Sequence, residues 1–232
     1  MTESTDRRAD GTRRQILRAA AQQFARRPYH DVGLDDILAV AQLTKGAMYF
    51  HFRSKHALAL AVIEEHLALD SVALDESLDR KLPGLETLVD VCYRIAIQDI
   101  CQDRARAVLR LLPAVGWTDG LQTRLIAEWM ASLALIVERA VVEGDVVEQR
   151  DPHDVARLGV CLYLGVRQSG DLDEPEEFLL QVESCWAALL PGIVAPDRLE
   201  YFQQFIRRRT ALAIRTTSVL TDVPELAEAP GR

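Results

Sequence analysis

The chain has 232 residues, 49 % of them apolar and 27 % charged, with a net charge of -8. That length and apolar content can bury a sizeable core, no run of 18 apolar residues offers a membrane span, and the polar stretch MTESTDRRADGTRR lacks the apolar centre of a secretory signal. An acidic body disfavours indiscriminate coating of nucleic acid, yet residues 1–56 hold ten Lys and Arg against six acids, a local balance of +4 that leaves -12 on the rest.

The predicted elements are helices throughout, since no segment alternates apolar and polar residues over a useful length. The first spans about 10–27, with Ile16, Leu17, Ala20, Ala21 and Phe24 on one stripe, arginines opposite, and Pro28 as its stop. A short helix follows over 34–41. Gln42-Leu43-Thr44 separate it from another short helix over 45–51, which Thr44 is suited to cap. Ser54 caps a long fourth helix whose stripe runs Leu60, Ile63, Leu67, Leu74, Leu78 and which Pro83-Gly84 ends. Further helices are predicted near 85–101, 104–111, 119–143, 152–169, 175–190 and 197–214, and the aperiodic tail over 216–232 is expected to be disordered. The fold class is therefore all-α with about ten helices. Residues 1–53 are expected to form a helix-turn-helix module, 54–215 a larger helical domain, and 216–232 a tail. Four scattered cysteines are expected to be small buried hydrophobes in a reducing cytoplasm.

Two short helices joined by three residues can read DNA, because the second is small enough to enter a major groove while the first holds it there. Lys45, Gly46 and Ala47 are basic or small, so the backbone can come close to the bases. Tyr49 lies one turn on from Lys45, and Met48 and Phe52 share the opposite, inward side. His51 and Lys55 follow where the chain would pass the phosphate backbone.

Taken together, Phe24, Tyr29, Ile37 to Ala41, the run T-K-G-A-M-Y-F-H-F over 44–52 and Lys55 resemble the DNA-binding signature of the tetracycline-repressor family. The resemblance is strong over about 12–66 and weaker beyond. It implies that Thr44, Lys45, Tyr49, His51 and Lys55 contact phosphates and that Lys45, Gly46 and Ala47 lie nearest the base edges. An arginine at 13, 14 or 18 is a further candidate. Two departures stand out. Gly33 occupies the cap of the second helix, where the family has Ser or Thr. Gln42 replaces the glycine of the turn and is expected in a left-handed conformation, at about 1 kcal/mol.

Within that family the string over 43–55 looks most like the γ-butyrolactone autoregulator receptors, the A-factor-receptor branch. Glu128-Trp129 matches their pocket Trp, His66 falls where the branch often has Gln, and Val166 falls where it has Thr. The branch thus implies Trp129, His66 and Val166 as ligand residues, while Val166 forfeits the branch's hydroxyl; Tyr93 and Gln98 could supply further polar groups, but no motif singles them out. From the stripe alone, Trp129 reads first as core, with a cavity wall as the alternative.

The expected partners are a palindromic double-stranded operator, a small apolar γ-butyrolactone-like effector and a second copy of the chain, with no membrane. The homodimer would pair the helices 152–169 and 175–214 through residues such as Leu158, Gly159, Leu162, Phe178 and Trp186. The function is then that of a ligand-released repressor, cytoplasmic, with no cofactor and no bound metal. The alternatives are a regulator sensing a drug or fatty-acyl molecule and a helical protein-interaction module. An enzyme is disfavoured, since no phosphate loop, G-x-S-x-G or H-E-x-x-H occurs.

Overall fold

The computed structural model describes residues 2–79, 82–117 and 120–222, without the side chains of 2–8, 69–79, 221 and 222. Ten α-helices account for almost all of it: α1 Thr2–Arg26, α2 Leu34–Ala41, α3 Lys45–His51, α4 Lys55–Asp79, α5 Gly84–Cys101, α6 Asp103–Val115, α7 Leu121–Val142, α8 Pro152–Ser169, α9 Pro175–Ile193 and α10 Leu199–Asp222. A 3₁₀ turn, Tyr29–Asp31, links α1 to α2. Extended pairing among the described residues is limited to one antiparallel bridge, Val146 with Val194. No described helix is long and apolar enough to cross a membrane.

The chain folds as two compact units, residues 1–75 with 102–126 and residues 76–101 with 127–232. In the first, the predicted stripe of α1 is buried from Ile16 to Phe24 and packs against α2 and α6. From α6 come Ala105, Val108, Leu111 and Leu112, all buried. The helix passes its expected end at 111 and continues through Pro113 to Val115. Proline removes one backbone donor, and neighbouring packing outweighs that loss. Pro191 is likewise accommodated inside α9.

In the second unit, α10 packs against α5 and α9, and α8 packs against α9. Val155, Phe178, Val182, Trp186, Phe202 and Ile206 are all buried within the chain. They belong to its own core and are not free to meet a partner. Two further expectations differ from the structure. α10 runs to Asp222, so residues 216–222 are helical; the Thr217 hydroxyl donates to the Ala213 carbonyl at 3.1 Å and the residue is buried, as a docked last turn would have it. The rest of the expected tail, 223–232, lies outside the described residues, as do the side chains of Leu74 and Leu78. Arg209 pairs with buried Asp90. Cys161 is exposed, while Cys92, Cys101 and Cys185 are half-buried free thiols.

The start of α5 lies against the backbone of α7. A Cβ on Gly84 would stand 2.5 Å from the Ala140 nitrogen and 2.8 Å from the Ile136 carbonyl oxygen, and those backbone atoms cannot swing aside. Gly84→Ala is therefore expected to lower stability by about 1–3 kcal/mol, measured by urea unfolding, although alanine is the better helix former.

Candidate nucleic-acid interface

α2 and α3 have the bounds that local sequence signals set for them. Gly33 starts α2 with extended backbone, and the Asp36 carboxylate accepts the Gly33 N–H at 2.9 Å, replacing the missing cap side chain from within the helix. Arg27 donates to the same carboxylate at 2.9 Å. The Gly33 amide first, and then Arg27, hold the Asp36 carboxyl below the usual carboxylate range. Gln42 adopts φ 52°, ψ 40°, the left-handed conformation expected of it, and the Leu43 N–H closes back on the Leu38 carbonyl at 3.2 Å. From α1, Gln15 Nε2 donates to the last carbonyl of α2, Ala41, at 2.8 Å. Thr44 Oγ1 then accepts the Ala47 N–H at 3.3 Å and begins α3.

α3 is sharply sided. Met48 is fully buried and Phe52 nearly so, whereas Lys45, Gly46, Tyr49 and Phe50 are exposed, Phe50 at 79 %. Ala47 and His51 are half-buried, and the His51 ring meets Phe50 edge-on at 5.0 Å. A Cβ on Gly46 would find only Thr44 Oγ1, at 3.9 Å. Nothing inside the chain requires glycine there. Between α2 and α3 lies a cleft of about 370 Å³ with Leu38 and Met48 in its lining and Asp35, Lys45, Tyr49 and Lys55 around it.

Two basic residues of this surface have partners that the sequence did not reveal. Lys45 Nζ is gripped by both oxygens of Asp35, at 2.8 and 3.0 Å. Lys55 Nζ donates to the Tyr29 carbonyl at 2.8 Å and the Val32 carbonyl at 2.9 Å, 4.3 Å from the centre of the Tyr29 ring. Two of its three protons are thus committed inside the module. Arg13 lies over the Phe52 ring at 5.6 Å, exposed at the same end of α3.

The residues expected to bind an effector are not assembled in one described cavity. His66 belongs to the first unit. It is buried, and burial, aided by Arg104, brings its pKa down to about 4, so it is neutral at physiological pH. Trp129 is half-buried in the second unit and lines neither described cavity. Val166 borders a small cavity of about 30 Å³ with Cys92, Tyr163, Cys185 and Trp186. That volume admits one water molecule. Burial pushes the Cys92 thiol up to about 12. Tyr93 is buried with its hydroxyl 2.6 Å from Thr210 Oγ1, so that hydroxyl is already engaged and not open to an effector. Among the described residues no three His, Cys, Asp or Glu side chains gather as a metal would need.

Residues 16–62 match the family described as bacterial regulatory proteins, tetR family. The A-factor receptor protein of Streptomyces griseus is 31 % identical over 197 residues, 84 % of this chain and 68 % of that protein. A crystal structure of a gamma-butyrolactone receptor (ArpA-like protein) superposes with a TM-score of 0.75 at 29 % identity, over 88 % of this chain and 99 % of that one. CprB of Streptomyces coelicolor, solved in complex with its biological operator sequence, gives a TM-score of 0.74 at 28 % identity, over 88 % and 98 % of the two chains.

Proposed function

The chain belongs to the tetR family of bacterial regulatory proteins, and on that premise we propose that it is a transcriptional repressor that binds a palindromic operator as a dimer and is released by a γ-butyrolactone-like signal. The observation that carries the DNA-binding part is the sidedness of α3: Met48 and Phe52 anchor it, while Lys45, Gly46 and Tyr49 are turned to solvent without being needed by the core. In this reading Thr44, Lys45, Tyr49, His51 and the remaining proton of Lys55 contact phosphates. Gly46 and Ala47 let the helix approach the base edges, and phosphate spacing and groove shape carry much of the specificity. The similarity to an operator-bound neighbour supports it.

Function divides at 53/54, with DNA contact before it and at Lys55 just beyond, and sensing and pairing after, although packing divides the chain elsewhere because α6 lies on α1. Self-association would use what the second unit leaves outside: Leu158 on α8 and Leu180 on α9, 45 % and 48 % exposed, with Cys161 and Gly165 on the same side of α8 as Leu158. A two-fold dimer would present two copies of α3 about 34–36 Å apart. α4 contributes residues to both units, which suits it to link an effector site to the reading head. Trp129, His66 and Val166 are the effector residues in this scheme. The names of the similar receptors favour a γ-butyrolactone, and Val166 in place of a hydroxyl keeps another apolar effector as the second reading. The protein would act in the cytoplasm, without catalysis of its own.

The test is footprinting of the region upstream of the protein's own gene, followed by addition of γ-butyrolactones and, separately, of acyl and aromatic compounds. Two protected half-sites related by a dyad, cleared by a lactone, are expected. Clearance by the other compounds alone would replace the effector class, and no symmetric protection at moderate salt would overturn the repressor reading.

A further inference from the structure

Asp35 is an odd residue to find where it stands. It lies in the first turn of α2, beside the cleft that Lys45 and Tyr49 also border, so its carboxylate sits on the surface that would face a polyanion. Its neighbour Asp36 has a structural task, holding the Gly33 amide and Arg27. Asp35 grips Lys45 with both oxygens, and the two side chains are 74 % and 65 % exposed.

An exposed ion pair of this kind is weak, worth less than about tenfold in an equilibrium. It is nevertheless strong enough to decide what a loosely docked lysine does. In a loose complex the phosphates stay hydrated and at a distance, so they compete poorly with a carboxylate already at 2.8 Å. In a seated complex, phosphate and base edges come within direct reach of α3, and the lysine gains more by turning to them.

Resting on the DNA-binding reading above, we propose that Asp35 is a specificity-determining residue that withholds Lys45 from phosphate in non-specific complexes and yields it only when α3 is seated on the operator. The carboxylate thereby lowers affinity for arbitrary sequence more than affinity for the operator, and the ratio of the two rises. The acidic balance of residues 57–232 acts in the same direction over longer range.

Counterion release makes the distinction measurable, because each phosphate engaged by a cation steepens the fall of log K with log salt by about 0.9. The full-length protein, Asp35→Asn, Lys45→Ala and the double variant are titrated over a range of KCl concentrations. The two duplexes are one selected from a random pool by the wild type and a shuffled duplex of equal length. Asp35→Asn is expected to bind the shuffled duplex about three- to tenfold more tightly, with a slope steeper by about 0.9 per protomer, and to change operator affinity and slope much less. In the double variant the shuffled-duplex slope returns to that of the wild type, and Lys45→Ala flattens the operator slope by about 0.9 per protomer. An unchanged shuffled-duplex slope in Asp35→Asn overturns the proposal, as does an equal gain on both duplexes. A wild type that selects no sequence and binds neither duplex overturns the DNA-binding reading itself, and the proposal with it. Thermal melts of the four proteins confirm that the comparison is between folded molecules.

Discussion

Asp99→Ala is expected to destabilise the protein by about 3–5 kcal/mol, more than the glycine replacement at the start of α5. Asp99 is buried on α5 and accepts the Tyr163 hydroxyl of α8 at 2.6 Å, while Arg167, one turn further along α8, lies 3.4 Å away through Nε. The Arg167 side chain is itself mostly buried, and neither its Nε nor one of its terminal nitrogens has a hydrogen-bond partner. The carboxylate is therefore the main compensation for a guanidinium held away from water, and removing it leaves a positive charge in the second unit's interior. Burial and the adjacent Asp99 carboxylate both raise the Tyr163 pKa, so the phenol stays a donor throughout the ordinary pH range. Asp99→Asn should lose less, since the amide oxygen can still accept from Tyr163. Asp99→Leu combined with Arg167→Met should recover most of the loss, because an apolar pair of similar volume has no charge to strand. Urea unfolding checks all three. A loss under about 1 kcal/mol for Asp99→Ala would mean that water reaches Arg167 and that the network matters little.

Tyr49→Ala is expected to weaken operator binding at least about tenfold, equivalent to 1.4 kcal/mol, while leaving helical content and unfolding free energy within about 0.5 kcal/mol of the parent. Tyr49 is 54 % exposed, and its side chain borders the cleft rather than filling the core. Truncation should thus be felt by the DNA and scarcely by the fold. Tyr49→Phe separates the two contributions of the side chain, retaining the ring against the sugar-phosphate chain and removing one hydroxyl donor. Met48→Ala provides the opposite case: a fully buried side chain one residue away, where binding falls because the module itself loosens. Electrophoretic mobility shift together with circular dichroism distinguishes these outcomes. Undiminished affinity in Tyr49→Ala would mean that α3 docks by another face.

The reading head was the most legible part of the chain, and the reason is that its instructions are local. Pro28 ends α1, Gln42 closes α2, Thr44 opens α3, and each acts on backbone within four residues. The alternation of Lys45 and Tyr49 with Met48 and Phe52 then fixes which side faces out. Helix ends governed by tertiary contact were less legible. α6 and α9 pass through prolines that look like stops, and α10 continues to Asp222 because Thr217 is buried. Pairings between distant residues were not legible at all. Nothing in the spacing of Asp35 and Lys45, or of Asp99, Tyr163 and Arg167, reveals that they meet. The one hint for the latter group is an aspartate beside Ile100 on the otherwise apolar stripe Leu85, Val89, Ala96 of α5. An effector site was expected from Trp129, His66 and Val166 by resemblance, and the small described cavity takes in the third of these alone.

The anchorage of Lys55 bears on how such a regulator could be rebuilt. Its ammonium clasps the Tyr29 and Val32 carbonyls from beyond the last residue of the three-helix segment, so a chimaera joined at residue 53 would leave behind the clamp that closes its own loop. A transplant that carries the first turn of α4 along with the donor head keeps that clasp native. One that takes this turn from the recipient body needs a lysine at the same place, because an arginine's planar fork does not reproduce a point charge set between two oxygens and a ring.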